Sequence, residues 1–227
     1  MASASTVAPV SLSTWQSELD AIKASISRIY TTDYKTWIDE WCAPTPSGRT
    51  RANPYPWTFY HEVDLNLKHL YARTVELVCA NGNYDDIINV LSFLHKVSPE
   101  YGRDLYASGT ILGNSRISPG DKTKCAYAYM AGLVKGTFSH DIIEDHDAGD
   151  VGVILGKLTA RVSELNCAAL PLVAAIRVAI YPTKYKRDAT NASALAGSKW
   201  LPVAHTLVQA APASTADALV AMMKAAE

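Results

Sequence analysis

Apolar residues recur along most of the chain at steps of three and four, the spacing of one face of an α-helix. The first run is Trp15, Leu19, Ile22, Ile26 and Ile29, preceded by Ser13 and Gln16 in capping-box spacing. This stripe is narrow, as in helix–helix seams. It packs either on the chain's own core or on a neighbouring copy. A short second helix is expected from Asp33 to Cys42, gathering Trp37, Ile38 and Trp41.

The helical period returns after Thr58 with Val63, Leu67, Leu70 and Leu77, and Asn81-Gly82 supplies a stop signal. Asp85 is placed to cap the next helix, which carries Ile88, Leu91 and Leu94 and ends before Pro99. Asp121 is placed to cap a helix running to Lys135, where Gly132 and Gly136 allow close approach or a kink. Val151, Ile154, Leu155, Leu158, Val162 and Leu165 mark another amphipathic helix. The apolar stretch Cys167 to Tyr181 reads as a buried core helix. Residues 189–227 hold two more, the last with Ser214 as cap and Asp217 three residues on.

No long segment alternates with period two, and no hairpin dipeptide joins two β-branched runs. The expected fold is therefore all-α, a single globular helical domain of about eight to ten helices. Residues 1–14 read as a flexible N-terminal arm, small and uncharged, and 15–42 as an N-terminal helical segment suited to contact between subunits. Residues 43–57, rich in proline, form a linker, and 58–227 form the helical main body.

Composition narrows the class. The chain has 227 residues, 48% of them hydrophobic and 19% charged, enough apolar material for a sizeable core. The low charged fraction suggests surface covered by other copies. Cys42, Cys79, Cys125 and Cys167 are too far apart for a CxxC site and sit beside apolar residues, as buried free thiols do. Residues 1–14 lack a basic region followed by an apolar one, so secretion by a signal peptide is not expected. The stretch 167–181 contains Pro171 and Arg177 and is too short to span a bilayer. The expected location is a virion or the host cytoplasm, with no membrane partner and no cofactor.

A net charge of −1 excludes binding to nucleic acid through bulk charge. The charge is uneven, however. Residues 151–227 carry eight basic and four acidic side chains, a net +4 that leaves −5 on the first 150 residues. The densest basic-aromatic cluster is Tyr181, Lys184, Tyr185, Lys186 and Arg187, with Arg177 one helical segment earlier. Cations that neutralise phosphates, interleaved with rings that stack on bases, characterise single-strand grooves. Arg49 and Arg51 near Tyr55 and Trp57 form a second cluster, and Lys122 with Lys124 a third.

Residues 140–147 read HDIIEDHD, placing His140, Asp141, Glu144 and Asp145 in spacing suited to a divalent metal. The stretch resembles the HD-x-x-E-D signature of HD-type metal-dependent phosphohydrolases. The resemblance implies His140 and Asp141 as metal ligands, with Glu144 and Asp145 orienting the attacking water. The family's upstream metal-binding histidine has no counterpart, since position 116 holds Arg116 and no histidine lies between His95 and His140; His69 and His95 have about the right separation, but Lys96 follows the second where aspartate is required. No phosphate-binding glycine loop, nucleophile elbow or zincin motif is present.

Three functions follow. The first is a structural assembly protein, a coat or nucleocapsid-type subunit that forms a homo-oligomer or filament on single-stranded viral RNA. Its assembly face would be Trp15, Leu19, Ile22, Ile26 and Ile29, and its RNA groove the basic-aromatic clusters. The second is the phosphohydrolase or a degenerate relative. The third is a helical adaptor with neither RNA nor metal.

Overall fold

The computed structural model describes residues 14–29, 57–97, 114–137, 171–180 and 198–227, with side chains from position 65 to 94 in the second range. These residues form seven α-helices and one short 3-10 turn, with no strand among the described residues. The class is all-α. The helices are α1 (Thr14–Arg28), α2 (Trp57–Asn81), α3 (Tyr84–Val97), α4 (Pro119–Val134), α5 (Leu172–Ile180), α6 (Trp200–Ala210) and α7 (Ala216–Ala225). The 3-10 turn is Ala211–Ala213.

The core is organised around α4. Ten consecutive residues, Cys125 to Val134, are buried, so this helix has no solvent face over its last turns. A helix apolar all round belongs inside a fold, and Ala126, Ala128, Ala131 and Gly132 let neighbours approach it closely. Helices α2, α3, α5 and α7 all pack against it. Helix α1 lies on α2, and α6 on α5. The expected core positions Leu67, Leu77, Ile88, Leu91 and Leu94 are buried. Tyr71, Val75, Val78, Ile87 and Val90 join them, because both helices are covered over a wide stripe. Thr74, also buried, donates its hydroxyl to the Leu70 carbonyl at 2.8 Å and leaves no orphan polar group there.

The helix starts differ from the sequence expectation in a consistent way. Asn83, not Asp85, caps α3: its Oδ1 accepts from the Asp86 N–H at 2.9 Å, and its own N–H donates to Asp86 Oδ2 at 2.9 Å. Ser118, not Asp121, caps α4, with Pro119 at the first helical position. Ser118 Oγ accepts from the Asp121 N–H at 3.1 Å and donates to its carboxylate at 2.7 Å. At α3 the aspartate is the third-position partner of a capping box, and at α4 the third-position aspartate accepts from the cap hydroxyl instead. Thr215, not Ser214, caps α7, accepting from the Ala218 N–H at 3.2 Å. The Ser214 N–H is already committed to Ala211 in the preceding turn.

The α4 terminus is a Schellman motif. Gly136, at φ +69°, donates to Leu133, and Thr137 donates to Gly132 at 2.9 Å. Within the stretch expected as a helix over 167–181, Leu172–Ile180 is helical and Leu172 to Ile176 are buried; residues 167–170 and 181 lie outside the described residues. The helices expected at 33–42 and 151–165 lie outside the described residues.

Candidate nucleic-acid interface

A cleft of about 450 Å³ lies between the exposed face of α2 and the turn that leads into α4. Leu65, Asn66, Lys68 and His69 line it from α2, and Asn114, Ser115 and Arg116 from the turn. The helical period explains the first group: Leu67 and Tyr71 face the core, so 65, 66, 68 and 69 face outward. Leu65 is 52% exposed, the one large hydrophobic so exposed among the described residues.

The turn is built by Asn114. Its Oδ1 accepts from the Arg116 N–H at 3.0 Å, and its carbonyl accepts from the Ile117 N–H at 3.2 Å. Ile117, 2% exposed, anchors the turn in the core. Asn114 Nδ2 reaches the Lys68 carbonyl at 3.5 Å, tethering the turn to α2. Arg116 is thereby set over His69, and its Nη1 donates to His69 Nδ1. Both ring nitrogens of His69 lie within reach of Nη1. Lys68 and Arg116 give the cleft two fixed positive charges, and no acidic residue lines it among the described residues.

Of the basic residues expected to form a groove, the described ones, Lys122, Lys124 and Arg177, do not line this cleft. Lys124 donates to the Cys79 carbonyl at the end of α2, where a cation complements the helix dipole. Lys122 is half-buried on the first turns of α4. Arg177 is half-buried on α5 and donates to the Tyr129 hydroxyl of α4 at 2.8 Å, which makes it a strut between helices. Arg49, Arg51, Lys184, Tyr185, Lys186 and Arg187 lie outside the described residues, as do His140, Asp141, Glu144 and Asp145. Among the described residues no group of three or more His, Cys, Asp or Glu side chains is placed to hold a metal.

The apolar seam of α1 lies on α2 of the same chain. Ile26 is fully buried and Leu19 nearly so, while Trp15, Ile22 and Ile29 are half-buried against the core. Arg73 of α2 pairs with Glu18 of α1 at 2.7 Å and with Glu76 at 3.6 Å. The Glu18 carboxylate raises the Arg73 pKa further. The pair is exposed, so it sets register more than it stabilises.

Sequence reasoning missed Lys68, His69 and Arg116 as a group because His69 and Arg116 are 47 positions apart. The available signal was the adjacent Lys68-His69 pair on the polar side of an amphipathic helix. No helix among the described residues is long and apolar enough to cross a membrane. The chain matches no protein-family model, no curated protein and no solved structure.

Proposed function

We propose that the chain is a coat or nucleocapsid-type subunit, assembling with copies of itself around single-stranded nucleic acid. The observation that supports this is the docking of α1. Its contact with the body is one narrow seam with two well-buried side chains, Leu19 and Ile26. At roughly 1.5–3 kcal/mol per buried aliphatic side chain, such a seam contributes on the order of 5 kcal/mol. A helix this short is marginal alone, so α1 folds on a surface, and α2 provides one.

Residues 30–56 join α1 to α2. A connection of that length has a maximum reach on the order of 90 Å. The same Leu19, Ile26 and Glu18–Arg73 contacts are therefore available between neighbouring copies, and exchange of an identical element is a low-cost route to assembly. The small, uncharged segment ahead of α1 and the low charged fraction of the whole chain fit a surface shared with other copies.

Deletion of residues 1–30 tests this reading. The expected outcome is loss of self-association in size-exclusion chromatography with the helical circular dichroism of the body retained. A deletion variant that assembles like the full chain contradicts it.

A further inference from the structure

We propose that the cleft between α2 and the Asn114–Arg116 turn binds the phosphodiester backbone of single-stranded nucleic acid. This names the site for the assembly function above and rests on that reading. The cleft combines a lysine point charge, Lys68, with the planar donor fork of Arg116. An arginine fork matches the geometry of two phosphate oxygens, and an ammonium adds charge without demanding orientation.

Arg116 is held in place before any ligand arrives. Asn114 fixes its backbone, and the His69 ring takes Nη1. Nε and Nη2 have no protein acceptor among the described residues. Asn66, Asn114 and Ser115 add amide and hydroxyl groups suited to phosphate and sugar oxygens. The volume of about 450 Å³ falls within the range of small-ligand sites and accommodates about one nucleotide unit.

Phenylalanine, tyrosine and tryptophan are absent from the described lining, so the described residues offer donors to the backbone and no base-stacking ring. The cleft grips the backbone, and binding is insensitive to sequence. An acidic peptide is the competing anion, and the oligoglutamate arm of the test separates it from a phosphodiester.

The test uses the full chain and a fluorescein-labelled oligouridylate of about ten nucleotides, titrated by anisotropy at several salt concentrations. The double variant Lys68→Gln/Arg116→Gln is expected to bind roughly tenfold more weakly. Its slope of log affinity against log salt is expected to be shallower by about 1.4, the loss of two single-strand phosphate contacts. Arg116→Lys, which keeps the charge, is expected to retain the slope and lose part of the affinity. It also keeps the proposal testable should the double variant not fold by circular dichroism.

Unchanged affinity and slope in a folded variant overturn the proposal. So does an oligoglutamate that binds as tightly as the RNA, or uridine monophosphate that binds while the oligomer does not. Self-association is read on the same samples by sedimentation. Wild-type protein that assembles without binding the oligouridylate removes the cleft and leaves the assembly reading. Wild-type protein that binds it as a monomer does the reverse.

Discussion

Cys79 of α2 and Cys125 of α4 are both fully buried, with their sulfurs 3.8 Å apart. The hydrogen bond with Cys79 and the loss of solvent hold the Cys125 thiol well above the ordinary thiol range. A thiolate is the reactive form, so Cys125 is chemically quiet while the fold is closed, and burial shields Cys79 from reagents. Alkylation followed by peptide mapping should mark Cys79 and Cys125 only at denaturant concentrations that unfold the chain. The raised pKa also gives stability a direction with pH. Below the pKa of an unfolded thiol, about 8.5, both states keep the proton and this group is silent. Above it the unfolded chain releases the proton first, and stability declines with rising pH, by at most about 1.4 kcal/mol per unit. The urea midpoint should therefore fall between about pH 8.5 and 10, and fall less in Cys79→Ala/Cys125→Ala; equal slopes would refute this. Burial of these thiols was legible from their apolar neighbours. Their pairing was not, because 46 residues separate them and only the packing of α2 on α4 brings them together.

At the scale of elements, the α2–α3 turn is the tightest joint described. A side chain on Gly82 would place its Cβ 2.8 Å from Asp86 Cβ and 2.9 Å from the Val78 carbonyl oxygen. One of these is backbone and the other belongs to the residue that closes the Asn83 capping box. Gly82→Ala is expected to destabilise by about 1–3 kcal/mol, read as a lower urea midpoint; an unchanged midpoint would show that the turn relaxes freely. The helical class and the core face of α3 could be read directly, since Ile88, Leu91 and Leu94 repeat at helical spacing against a polar side. The centrality of α4 could not. Its residues from Cys125 to Val134 are apolar on every side, and a helix without a polar face gives no phase to read. The caps were displaced because an aspartate near a helix start serves equally as cap or as third-position partner. Neighbouring Asn83 and Ser118 decide which role it takes.

For the whole molecule, the uneven charge matters more than its sum of −1. The sequence expectation sought cations in runs, whereas the described cleft takes Lys68 and Arg116 from segments far apart in the chain. Lys124 and Arg177 instead brace helices against one another. A few fixed charges in a cleft bind phosphate without making the protein basic, and repetition along a polymer multiplies a weak contact into stable binding. Copies that exchange α1 would supply that repetition. The most direct test is sedimentation velocity of the full-length chain from a nucleic-acid-containing host, with absorbance recorded at both the nucleic-acid and protein maxima, at low and high salt. Assembly on single-stranded nucleic acid requires multi-copy particles that carry it and release it as salt rises. A monomer free of nucleic acid at every salt concentration would contradict it.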